Sequence, residues 1–187
     1  TVLSRRSWAT VGNGPNTISA REIRIKSSEL CYKAIANDVT EDKKHIDLSC
    51  EPLIVVCATG LNGSTADDVS KEVSIFTAHK AVPVVISDDD SERFENCKNL
   101  IVVPKTDPDL SFILGCVAGH IFGYESALAI DSSATILREA RGALADISIA
   151  KLESANGLTL MGDALEPIKS ALFAQLQEKN YDAILDS

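Results

Sequence analysis

Leu53-Ile54-Val55-Val56-Cys57-Ala58 is an unbroken apolar run, followed at once by the turn-forming stretch Thr59-Gly60-Leu61-Asn62-Gly63-Ser64-Thr65. Continuous Val, Ile and Leu, without polar residues at alternate positions, is how a strand covered on both faces reads, and such strands belong to parallel sheets. Val82 to Ile86 and Leu100 to Val103 read the same way, and Trp8 to Val11 supplies a fourth short run. Helix-length segments lie between them: Thr17 to Asn37, capped by Asn16 after Pro15; Ala66 to Lys80; a short Glu92 to Lys98; and Asp109 to Ile130. In the last of these, Leu110, Ile113, Leu114, Val117, Ile121, Tyr124 and Leu128 recur at helical spacing, which predicts one broad stripe facing the core.

Strand and helix in alternation, with turn residues at the strand ends, define an α/β fold with right-handed crossovers. The expected architecture is a three-layer sandwich around a parallel, flavodoxin-like sheet of four or five strands over residues 7–131. Beyond Ser133 the pattern becomes purely helical: Ile136 to Ile149 continues, Asn156-Gly157 breaks it, and Met161 to Asp186 supplies further amphipathic helix. Residues 1–132 are therefore expected to form the α/β lobe, and residues 133–187 a C-terminal helical extension or a linker to a further domain.

With 18 Lys and Arg against 27 Asp and Glu, the net charge of −9 disfavours nucleic acid, whose phosphates need a basic face. Five widely spaced cysteines without a C-x-x-C pair fit a reducing, cytoplasmic setting better than a disulfide scaffold. No apolar stretch is read as reaching the roughly 18 residues a membrane span needs, so no membrane partner is expected. The opening Thr1-Val2-Leu3-Ser4-Arg5-Arg6, without an initiating Met, reads as a piece of a longer protein.

In open α/β sheets ligands sit outside the carboxyl ends of the strands. Gly12, Asn13, Gly14 and Asn16 follow the first strand, and Thr59, Ser64 and Thr65 follow the Leu53 run, so these are the candidate ligand-binding residues. Glycine lets a backbone approach a ligand, and a helix N-terminus favours an anion. A dinucleotide site is excluded, because Thr17 stands where a third glycine would be and no acidic residue ends the next strand. Glu22, Lys26, Glu29 and Lys33 share one helix face, which by itself reads as a solvated stripe with two Glu-to-Lys pairs of about 0.3 kcal/mol each. His45 lies in the polar stretch Thr40–Asp47, where a histidine is ordinarily exposed. No second histidine has ligand spacing to it, so no metal site is assigned, and His79 and His120 read as structural.

The order Ala20-Arg21-Glu22-Ile23-Arg24-Ile25-Lys26-Ser27-Ser28-Glu29, with Lys44-His45 ending sixteen residues later, resembles the sugar-isomerase (SIS) domain family. Within it the likeness is to the second isomerase lobe of the glutamine:fructose-6-phosphate aminotransferases, with their A-x-E-x-x-x-K-x-x-E helix and downstream histidine. The resemblance implies that Glu29 moves a proton between C1 and C2 of a sugar phosphate, with Glu22 and Lys26 as neighbours. It implies that His45 opens the sugar ring and reaches the site of a partner subunit. The implied ligand is a sugar phosphate such as fructose 6-phosphate or glucosamine 6-phosphate, with no cofactor. The implied assembly is a homodimer, completed by other domains of a longer chain. Glu29 is then expected to line a cleft at the carboxyl ends of the strands. The family's lysine-bearing C-terminal peptide is not in this sequence, which leaves a non-catalytic sugar-phosphate sensor as the alternative.

Overall fold

A computed structural model describes residues 5–43, 48–88, 92–94, 97–147, 153 and 156–177. Five parallel strands form one sheet in the flavodoxin-like order β2-β1-β3-β4-β5. They are β1 (Trp8–Gly12), β2 (Ile35–Asp38), β3 (Leu53–Ala58), β4 (Val82–Ser87) and β5 (Leu100–Val102). The helices are α1 (Asn16–Cys31), a single turn α2 (Thr40–Lys43), α3 (Gly63–Ala78), α4 (Ser111–Ala145) and α5 (Gly157–Gln177). Two compact units result, Thr1–Ala127 and Leu128–Ser187. The first holds the whole sheet; the second consists, among the described residues, of the end of α4 and α5.

The central strands are dry on both faces, as their composition requires. Every residue of β1 and β3 is buried. On one face Ala9, Val11, Ile54, Val56 and Val85 pack with Val69, Val73 and Phe76 of α3. On the other, α1 covers β1, β2 and β3, and the Trp8 ring lies 6.4 Å from that of Phe122 on α4. Cys57 is buried enough that desolvation, with a smaller push from neighbouring Cys116, raises its thiol to about 12. All five cysteines are free.

Three expectations are corrected. The helix expected to run to Asn37 stops at Cys31, where Tyr32 turns left-handed (φ 52°). Ile35–Asp38 then pairs in parallel with β1, from Trp8↔Ile35 to Val11↔Asp38. Only Ile35 of this edge strand is buried, so it carries no apolar signature to read. At the other edge β5 is half-exposed, since only β4 pairs with it, and is not covered on both faces. The third correction is the largest. Leu110, Ile113, Val117, Ile121, Tyr124 and Leu128 do not face the core but are 46–59% exposed.

The face of α4 that turns inward is made of small residues. Ser19 Oγ on α1 donates to the Phe112 carbonyl at 2.7 Å, and Cys31 Sγ to the Gly123 carbonyl at 3.7 Å. Between these two contacts Gly115 lies against Ser19, Gly119 against Ile23 and Gly123 against Ser27. A Cβ on Gly119 would sit 2.1 Å from Ile23 Cγ1, so the backbones approach as closely as they do only because no side chain intervenes. The segment Ser111–Ser132 is also long and apolar enough to cross a bilayer by length and composition, contrary to the sequence reading.

A buried polar clamp fixes the loops at the carboxyl ends of the strands. Asn16, expected to cap α1, makes no capping bond; Pro15 occupies that position. The Asn16 side chain turns inward instead. Its Nδ2 donates to the Thr59 carbonyl at 2.8 Å, and its Oδ1 accepts from Thr59 N at 3.2 Å and Thr59 Oγ1 at 2.9 Å. The turn after β1 is thereby tied to the turn after β3.

Two sets of variants test this packing. Gly119→Ala should destabilise the first unit by about 1–2 kcal/mol, because overpacking against Ile23 outweighs the gain in helix propensity. Gly142→Ala, where nothing lies within 4 Å, should stabilise α4 by about 0.5–1 kcal/mol. Urea unfolding reads both, Gly119→Ala by the fluorescence of the single tryptophan, Trp8, and Gly142→Ala by circular dichroism. Asn16→Ala should cost about 2–3 kcal/mol in the Trp8 transition, since it strands three polar groups of Thr59 in the interior. A loss below half a kcal/mol would show that the clamp is unimportant.

Candidate functional site

Parallel register brings four turns to one end of the sheet. Gly12 pairs with Cys57, Cys57 with Ile86, and Ile86 with Ile101, so the chain leaves β1, β3, β4 and β5 on the same side. The candidate binding residues divide there into those that face inward and those left open. Gly12 is buried, and a Cβ on it would meet the Asn16 carbonyl oxygen at 2.3 Å, so glycine is needed for the turn itself. Asn13 Nδ2 donates to Thr40 Oγ1 at 2.6 Å and its Oδ1 accepts from Thr40 N at 3.2 Å. Asn13, Asn16 and Thr59 thus all use side-chain polar atoms within the fold. Gly14, Ser64 and Thr65 are exposed.

Beside Ser64, at the ends of β3, β4 and β5, lies a cleft of about 400 Å³. Gly60, Asn62, Gly63, Asp88, Arg93 and Lys105 are among its lining residues. Gly63 is the first residue of α3, and the extended Asn62 before it (φ −145°, ψ 166°) makes no side-chain cap. The first amides of a helix have no partner within it, so this terminus presents partial positive charge to the cleft. Arg93 Nε pairs with Asp67 Oδ1 at 3.1 Å, and Lys105 is exposed. Asp88 Oδ1 accepts from Gly60 N at 2.8 Å, which pins the turn after β3 to the end of β4. The arrangement suits an anion with hydroxyl groups beside it. Arg93 and Lys105 were not singled out from sequence. Lys105 could have been, because it directly follows Pro104 at a strand's carboxyl end.

The residues assigned to proton transfer by resemblance lie elsewhere. Glu22, Lys26 and Glu29 do share a face of α1, and Lys26 Nζ donates to Glu29 Oε2 at 2.9 Å. That bond, ahead of all other influences, raises the Lys26 ammonium above its ordinary value. Lys33 falls beyond the helix end, where its ammonium sits 5.4 Å from the centre of the Trp8 ring. α1 begins at the carboxyl-end loops and runs back along the sheet. At 1.5 Å per residue, Glu22 is about 9 Å and Glu29 about 20 Å down the helix from Asn16. Glu29 therefore does not line the cleft at the carboxyl ends of the strands, because the helix carries it to the opposite end. Glu22 meets His120 of α4 instead, with Oε1 and Nε2 3.1 Å apart. His45 lies outside the described residues. Among the described residues no group of three or more His, Cys, Asp or Glu could hold a metal ion.

No protein-family model matches the chain, and no curated protein does. Solved structures do. The C-terminal domain of glucosamine-fructose-6-phosphate aminotransferase from Francisella tularensis superposes with a TM-score of 0.57 at 15% identity, over 67% of this chain and 36% of that one. Tagatose-6-phosphate ketose/aldose isomerase from Escherichia coli gives 0.54 at 19% identity, over 66% of this chain and 36% of that one. An Escherichia coli CFT073 protein solved in complex with a sugar phosphate gives 0.51 at 16% identity, over 68% and 71%. The chain thus spans about a third of the length of the first and second of these. Strand order, parallel pairing and helical layers agree with all three, and the chain has the sugar-isomerase (SIS) fold.

Proposed function

We propose that this chain is a sugar-phosphate-binding SIS lobe whose ligand phosphate sits at the N-terminus of α3. The observation that carries the reading is the cleft of about 400 Å³ in which Gly63, at an uncapped helix start, meets Arg93 and Lys105. Backbone amides and two cations can neutralise a phosphate locally in a chain whose net charge is −9. Exposed Ser64 and Thr65 add hydroxyls beside it. The structural neighbours support this reading in kind, since one was solved with a sugar phosphate bound and another is named for a sugar 6-phosphate.

Two finer readings follow. In one the lobe belongs to an aminotransferase-like enzyme of amino-sugar biosynthesis, a homodimer in which Glu29 is the base, Glu22 and Lys26 its neighbours, and His45 opens the ring. In the other it binds a sugar phosphate without turning it over. About 20 Å of helix separates Glu29 from the loops at the carboxyl ends, which is longer than a hexose phosphate. A ligand anchored at α3 cannot then present C1 and C2 to Glu29 of the same lobe. Catalysis by Glu29 needs a phosphate site supplied by another lobe or subunit, and the isolated chain should bind without isomerising.

Isothermal titration with fructose 6-phosphate, glucosamine 6-phosphate and arabinose 5-phosphate tests the proposal against the unphosphorylated sugars and inorganic phosphate. At least one sugar phosphate should bind at millimolar concentration or below, and its free sugar should not. Lys105→Ala should weaken binding by about tenfold, as loss of a charge-assisted contact does. Absence of binding by any phosphorylated sugar would overturn the reading. Should the chain instead isomerise, Glu29→Gln lowering the rate by about 10²-fold with unchanged binding would favour the enzyme reading.

A further inference from the structure

The apolar residues that α4 turns outward follow a narrower rule than helical amphipathicity. Leu110, Leu114, Val117, Ile121, Tyr124 and Leu128 are separated by four, three, four, three and four residues. That is the alternating spacing of a coiled-coil seam, which closes by receiving a second helix with the same spacing. A surface helix would ordinarily turn such a seam to its own core. Here the core side is occupied by Ser111, Gly115, Gly119 and Gly123, all buried, and the seam is left open. Beside it runs an apolar groove of about 430 Å³ between α4 and the half-exposed edge strand β5, with Val102, Pro104 and Phe122 in its lining.

We propose that this seam is a homodimer interface, in which α4 of one copy packs against α4 of a second. Three observations favour a second copy. The seam is self-complementary, and a patch that fits itself gives a closed two-fold pair, the commonest assembly of soluble chains. Between Leu110 and Tyr124 the only Asp, Glu, Lys, Arg or His is His120, which is bonded to Glu22 of its own chain. Like charges on two copies therefore do not meet along it. The third observation is size. Five half-exposed large side chains and the partly buried Leu114 offer on the order of 500 Å² per copy, and the groove beside them brings this toward the roughly 800 Å² per partner of a stable interface. The resemblance places the interface on α1 and the loop after it; the exposed apolar surface places it on α4. Lipid is disfavoured as the occupant, because Ser19 and Cys31 of α1 already bond to the carbonyls of α4 on its other face.

Sedimentation equilibrium of the 187-residue chain at micromolar concentrations should give a dimer of 20.0 kDa subunits. Val117→Glu and Ile121→Glu place a charge at the centre of the seam, and each should weaken dimerisation by at least about 100-fold. Lys71→Glu, on the exposed surface of α3, should leave it unchanged. Unaltered circular dichroism and Trp8 fluorescence in both seam variants would show that the fold survives. A wild-type chain that is monomeric throughout, or seam variants that dimerise normally, would overturn the proposal. So would a monomer that floats with phosphatidylcholine vesicles, since lipid would then be what the seam receives. These variants leave Lys105 and the start of α3 intact, so sugar-phosphate titration and molecular mass fail or succeed independently.

Discussion

The close approach of α1 and α4 governs more of this molecule than any single bond. Backbone meets side chain along Gly115, Gly119 and Gly123, and a Cβ at the middle position would overlap Ile23. Short separations bring many atoms into dispersion contact at once, and interiors as dense as crystals tolerate no added methylene cheaply. Because the small face must turn inward, the rotation of α4 about its axis is fixed. That rotation sets His120 against Glu22 and leaves Val117, Ile121 and Tyr124 outside. Fold, surface chemistry and the proposed dimer share one steric origin.

At the other end of the same helices, polar rather than steric complementarity is in control. Asn16 and Thr59 hold the turns after β1 and β3 together, Asn13 and Thr40 do the same for β1 and β2, and Asp88 accepts from Gly60 across β3 and β4. These bonds consume the side chains that look most available for a ligand. What remains open is backbone at the start of α3 with Lys105 and Arg93 beside it. A binding site built from amides and a few long cations is pre-organised by the clamps behind it, and the clamps need not touch the ligand.

Much of the architecture is legible in the residues themselves. The Leu53, Val82 and Leu100 runs and the glycine turn after Trp8–Val11 are enough to specify a parallel α/β sheet, and the observed order is the flavodoxin-like one. β2 is not legible, because Ile35-Ala36-Asn37-Asp38 is a polar edge strand whose existence depends on pairing with β1. The inward face of α4 is misread for a different reason. Hydrophobicity marks the face that some partner will cover, and that partner need not belong to the same unit. The glycines and serine at 111, 115, 119 and 123 carry equal periodicity without apolar weight. In the site, residue type pointed to the correct loops but could not say which way a side chain turns. Asn16 and Thr59 turn in. Lys105 turns out, one residue beyond the apolar run that drew the eye.

The central claim is that this lobe holds a phosphorylated sugar at the carboxyl ends of β3 to β5, and not along α1. Amide chemical-shift mapping on the ¹⁵N-labelled chain, titrated with whichever sugar phosphate binds most tightly, separates the two locations directly. The account predicts the largest shifts at Gly60, Asn62 to Thr65, Lys105 and Thr106, with Lys26 to Glu29 unmoved. Shifts confined to Glu22–Glu29, with the α3 start silent, would contradict it.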